Sequence, residues 1–173
     1  DLTYCAPLSG ENQQTVQIAD LDGDGENEYL LFAKGTQEKP LKILVFQNVD
    51  GVFTMISAVE ANGASYDVVE YVNMDAKPGV EMIVGRQLSD QMLRTATVYT
   101  LADGKLNQLV SANYTKFLTT DLNNDHNNEL FVLRPGSSET DPGVAELYAV
   151  LNGEMVSFNE VTMSQPANKL KRI

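Results

Sequence analysis

The chain has 173 residues, 43% of them hydrophobic, and a formal net charge of −12. This is enough to bury one good core, and the acidity leaves no basic patch to neutralise phosphates, which argues against nucleic acid as a partner. A single cysteine, Cys5, excludes an internal disulfide and any multi-cysteine zinc site, and there is no run of 18 apolar residues to make a transmembrane helix.

Residues 1–12 are polar, with turn signals at Pro7, Ser9 and Gly10, and read as a lead-in or a lone strand. From Thr15 the pattern is short β runs. Thr15 to Ala19 alternates, with Val16 and Ile18 on one face, and Tyr29 to Ala33 is a continuous apolar run of the kind covered on both sides. Lys42 to Phe46 and Val52 to Ile56 follow, joined by a hairpin signal at Asp50 and Gly51. The order then recurs. Strands are predicted at 66–72, 82–84, 97–101 and 105–110, with a hairpin at Asp103 and Gly104. A third round runs through 116–120, 130–133, 146–150 and 155–161, with a hairpin at Asn152 and Gly153. No 3.6-residue periodicity is long enough for a helix of any size.

Two landmarks measure the repeat. Acidic loops start at 20, 73 and 121, and hairpin turns start at 50, 103 and 152. Both give a period near 50 with four strands in each round, which is the signature of propeller-type blades. The expected fold is all-β: three tandem four-stranded antiparallel blades at 13–63, 64–112 and 113–161, in one domain spanning 1–173. Three blades do not make a normal ring, so the expectation is an open arc or a fragment of a larger β-propeller. Residues 162–173 read as the start of a further blade or a capping strand. The start at Asp1, without Met, reads as a mature or trimmed form.

Ten of the 24 acidic residues lie in the three loops. The first carries Asp20, Asp22 and Asp24 at alternating positions, then Gly25, Glu26 and Glu28. Carboxylates this close repel unless a cation sits among them, and short side chains at alternating positions of a tight loop suit a hard cation with six to eight oxygen ligands. The peptide carbonyl of Glu26 is a further donor, and Gly25 permits the positive φ the loop needs. The third loop aligns without gaps, with Asp121, Asn123, Asp125, His126 and Glu129. Asn123 offers an amide oxygen, and His126 is read as a turn residue. Ca²⁺ is expected in the first loop and, more weakly, in the third.

The second loop has Asn73, Asp75, Lys77, Pro78 and Glu81. Lys77 replaces the third Asp, and Pro78 stands where positive φ is wanted, which proline cannot adopt. This loop is expected to hold no metal and to place the Lys77 ammonium between Asp75 and Glu81. An EF-hand is excluded, because position 12 falls on Leu31 in the first loop and Val132 in the third, both in β runs without flanking helices.

The segment from Asp20 to Glu28, followed by Tyr29 to Phe32 and recurring with the blade period, resembles the FG-GAP or VCBS repeat of integrin-alpha-type β-propellers. The layout is similar to uncharacterised VCBS-repeat lipoproteins of Gram-positive gut bacteria. The resemblance covers residues 13–161. It implies calcium loops between the first two strands of a blade and an extracellular or cell-surface location, secreted or lipid-anchored. The Phe-Gly and Gly-Ala-Pro elements that name the repeat are not visible, so integrin ligand binding does not carry over.

No catalytic constellation is evident, since His126 is the sole histidine and sits in a metal-type loop. The leading expectation is a non-enzymatic extracellular binding or scaffold module with calcium-stabilised blades. It would contact a protein or glycan through the loops at 86–93 and 134–142, and self-associate through exposed blade faces or edges. The alternative is an ancillary or catalytic part of a secreted carbohydrate-active enzyme; fold alone does not decide between them.

Overall fold

The computed structural model describes residues 1–88, 93–134, 136, 138 and 141–163. Parts of the loops at 86–93 and 134–142, expected to contact a ligand, lie outside the described residues. So does 164–173, expected to open a further blade. Among the described residues there are thirteen strands and no helix.

Sheet 1 is built from β2 (Val16–Ala19), β3 (Glu28–Lys34), β4 (Leu41–Val49) and β5 (Val52–Ala61). Sheet 2 is β6 (Ser65–Val72), β7 (Glu81–Gln87), β8 (Arg94–Ala102) and β9 (Lys105–Tyr114). Sheet 3 is β10 (Lys116–Thr120), β11 (Glu129–Arg134), β12 (Val144–Leu151) and β13 (Glu154–Thr162). Every pairing is antiparallel between sequence neighbours, apart from that of β1. None of the sheets closes into a barrel, so the arrangement is open.

The lead-in is put to use. β1 (Thr3–Tyr4) pairs with the end of β3 beyond β2, giving sheet 1 a fifth strand. The chain then crosses to the free edge of sheet 2. There the Leu8 and Ser9 N–H groups donate to the carbonyls of Tyr66 and Asp67, and the Asn12 amide donates to the Val69 carbonyl.

The hairpins form for a local reason. Asp50 and Gly51, Asp103 and Gly104, and Asn152 and Gly153 all have positive φ, as a two-residue turn matching strand twist requires. Six residues past each turn start, one extra residue bulges from the last strand, at Ile56, Leu109 and Phe158.

The three sheets stack face to face through two cores. In the first, Leu30, Phe32, Ile43 and Val45 of sheet 1 meet Tyr66, Met82, Val84 and Tyr99 of sheet 2. In the second, Ile83, Ala96 and Val98 on the opposite face of sheet 2 meet Leu130, Val132 and Tyr148 of sheet 3. Edge-to-face ring pairs bridge both interfaces, Phe32 with Tyr66 and Tyr114 with Phe117, each at 5.1 Å. Sheet 2 is therefore covered on both faces, which is why β7 is buried from Glu81 through Arg86. In β3 burial alternates, because among the described residues only one face of sheet 1 has a neighbouring sheet. Each fully buried Leu or Phe contributes about 1.5–3 kcal/mol relative to exposure.

Candidate metal centre

Each acidic loop joins the first two main strands of its sheet and ends on a glutamate at the start of the second. Glu28, Glu81 and Glu129 are all buried. Each uses one carboxylate oxygen to accept the backbone N–H seven residues earlier: Leu21 at 2.7 Å, Met74 at 2.8 Å and Leu122 at 2.8 Å. A buried carboxylate bonded to a loop N–H fixes the loop whether or not an ion is bound.

Within the first loop, Asp20 accepts from the N–H groups of Gly23 at 2.7 Å and Gly25 at 3.1 Å. Asp22 accepts from Asp24, and Asp24 from Glu26. The result is a tight turn that brings one oxygen each of Asp20, Asp22 and Glu28 within 4.8 Å of one another. Two oxygens on opposite sides of one Ca²⁺ lie roughly 5 Å apart, so this spacing fits a common cation. Among the described residues no other group of three acidic, His or Cys side chains converges in this way. The Asp24 side chain, also expected from the sequence as a ligand, lies outside the converging group.

The electrostatics match the geometry. Among the described residues none of the five loop carboxylates is in a salt bridge. The Gln47 amide of β4 donates to Asp22 and to Glu28, both at 3.1 Å. Burial raises the Glu28 carboxyl above its ordinary value, and Asp22 and Asp24 push the same way. The Leu21 N–H and the Gln47 amide only partly offset this. The cluster can thus hold a cation, and a cation would relieve both the repulsion and the burial.

The other loops show what happens when the donor set changes. In the second, the Lys77 ammonium binds Asp75 at 2.6 Å and is held charged by it. It makes no hydrogen bond to Glu81, which takes one from Thr100 at 3.4 Å, the position equivalent to Gln47. In the third, the Asn123 amide donates to Asp125 at 2.9 Å and Glu129 at 3.3 Å. Asp121 accepts from the N–H groups of Asp125 and His126, and Asp125 from that of Asn127. That last bond is the main reason the Asp125 carboxyl sits below its ordinary value.

Positive φ at Gly25 and His126 agrees with the sequence reading. A second such position was missed: Gly23, Ala76 and Asn124 occupy equivalent places and all have positive φ. The signal was Gly23 itself, overlooked beside Gly25. Gln47 was also missed, because nothing in sequence links a strand residue to a loop 19 positions away.

No protein-family model matches the sequence, and no curated protein matches it. Solved structures do. The Bacillus licheniformis rhamnogalacturonan lyase PL11 superposes with a TM-score of 0.53 at 15% identity, over 96% of this chain and 36% of that one. The exotype rhamnogalacturonan lyase YesX gives 0.50 at 15% identity, over 96% of this chain and 34% of that one. The chain thus spans about a third of the length of either enzyme. The likeness shows the fold.

These findings correct the family resemblance and the functional reading attached to it. The resemblance to FG-GAP or VCBS propellers, and the lipoprotein layout attached to it, gives way to a likeness to carbohydrate-active lyases. The reading as a non-enzymatic scaffold also falls, because both structural neighbours are enzymes. The loop motif had suggested a family, but a calcium-type loop between two strands reports a local solution to charge and turn geometry. It carries no record of what the whole sheet stack is used for.

Proposed function

We propose that this chain is part of a carbohydrate-active enzyme that acts on an acidic polysaccharide, with its first loop stapled by Ca²⁺. The observation that carries the reading is fold likeness over 96% of the chain to two rhamnogalacturonan lyases. The charge is consistent with it in a particular way. A chain of net charge −12 repels a polyuronate, so productive contact needs divalent cations to bridge or screen. Oxygen-only donors at Asp20, Asp22 and Glu28 favour Ca²⁺ over softer metals. The third loop would hold Ca²⁺ more weakly, since Asn123 brings a neutral amide where the first loop has the Asp22 carboxylate, and that amide already donates to Asp125 and Glu129. The second, with Lys77 bound to Asp75, would hold none. Such sites suit an extracellular setting, where Ca²⁺ is plentiful. The three repeats, at 13–63, 64–112 and 113–161, are the units of this design.

The test incubates the chain with rhamnogalacturonan, with Ca²⁺ and with chelator. Elimination is followed by the ultraviolet absorbance of the unsaturated sugar it forms, and binding by calorimetry. Turnover identifies a catalytic part, and calcium-dependent binding without turnover an ancillary one. Neither, or equal binding of a neutral polysaccharide, overturns the proposal.

A further inference from the structure

Among the described residues the two internal interfaces are copies of one another, and the stack of three sheets presents on its outer faces the two unmatched halves of a third. Each sheet sends the same plugs into the next. Leu21 and the bulge residue Ile56 pack into the core between sheets 1 and 2, and Met74 and Leu109 do the same between sheets 2 and 3. Their equivalents in sheet 3 are Leu122 and Phe158, which are 52% and 56% exposed. The receiving side repeats too. Met82 and Val84 of sheet 2 and Leu130 and Val132 of sheet 3 face the preceding sheet, whereas their equivalents Tyr29 and Leu31 face outward. Around them the register places Val16, Ile18, Phe46 and Phe53 on the same bare face of sheet 1.

Polar contacts obey the same rule. The Val80 N–H donates to the Asp20 carbonyl, and the equivalent Asn128 N–H donates to the Asn73 carbonyl. The next members of this series are the Asn27 N–H at one end of the molecule and the Asp121 carbonyl at the other. The Tyr71 hydroxyl donates to Gln17, and the Thr119 hydroxyl, one repeat later, donates to Glu70. At the free ends this polar pair is replaced on both sides: Ile18 stands for Tyr71 and Thr119, and Leu118 stands for Gln17 and Glu70. Both are exposed. A polar pair has become an apolar pair at the one place where the two partners lie on opposite ends.

We propose that the exposed face of sheet 3 docks onto the exposed face of sheet 1 in a second copy of this chain, head to tail. Ile18 would then meet Leu118, and Leu122 and Phe158 would be buried against Tyr29 and Leu31. The contact is heterologous, one kind of face against another. It is independent of the reading as a carbohydrate-active enzyme.

The test is the molar mass of the 173-residue chain by sedimentation equilibrium, from micromolar to submillimolar. The ionic strength is physiological, so that the charge on each copy is screened. A dimer or a longer assembly is expected. Ile18→Asp and Leu118→Asp each remove one face and should each give monomers. Mixed in equal amounts they should form a heterodimer, because each retains the face the other lacks. That recovery also shows that both variants are folded. A wild-type chain that stays monomeric overturns the proposal and leaves a further sheet of the same kind as the occupant. Self-association by either variant alone overturns it in favour of a face pairing with itself, and failure of the mixture to associate overturns it as well.

Discussion

Glu28, Glu81 and Glu129 hold their loops by the same backbone hydrogen bond, yet their surroundings differ in what cancels the neighbouring charge. In the first loop no ammonium or amide of the loop does so and a cation could, and a ligand bound only by the folded chain stabilises it by about 2.7 kcal/mol at a hundredfold excess over Kd. Ca²⁺ should therefore raise the melting temperature, and Asp22→Ala should remove most of the gain; an unchanged melting curve in chelator would refute the staple. Glu81 offers a separate test, since it lies in the loop with its own ammonium. Burial, followed by Asp75, raises its carboxyl above the ordinary 4.5. The folded state then binds the proton more tightly than the unfolded one. Its contribution is full below 4.5 and is lost as pH climbs through the raised value. Glu81→Gln keeps an acceptor for the Met74 N–H and should flatten the fall in melting temperature between pH 4.5 and neutrality.

At the scale of elements, the loops act on each other as well as on their own strands. Gly23 has a φ of 78°, and a Cβ there would overlap the Pro78 carbonyl group of the next loop. The backbone conformation costs an L-residue about 1–2 kcal/mol, and the overlap adds to it. Gly23→Ala should lower stability by roughly 2 kcal/mol or more by urea denaturation, with or without Ca²⁺. A loss seen only in Ca²⁺ would place its effect at the cation instead. The strands themselves were legible from sequence because the β runs and the Asp-Gly and Asn-Gly turns are local signals. Their ends were not: β5 runs to Ala61 and β9 to Tyr114, beyond the expected runs at 52–56 and 105–110, because pairing with β4 and β8 holds them.

At the scale of the whole molecule, sheet 2 belongs to both cores, so the three sheets should unfold together. Phe32→Ala, at the first interface, should cost about 3–5 kcal/mol and lower the melting temperature by roughly 10 °C. The loss should come in one calorimetric transition. Two separated transitions would show that sheet 3 holds up without sheet 1.

The sequence alone determined the all-β class, the repeat near 50 residues, the hairpins and the placement of acidic loops between strands. These follow from local patterns along the chain and from the spacing at which the same signals recur. Tertiary structure decided the rest. It brought Gln47 to Asp22 and Glu28, drew the Asp20, Asp22 and Glu28 carboxylates together without that of Asp24, laid residues 8–12 on the edge of sheet 2, and left Ile18 and Leu118 exposed on opposite faces of the stack. The physical reason is that hydrophobic and hydrogen-bonding patterns along a strand say which face is covered or polar, but the neighbour that covers it is supplied by residues tens of positions away.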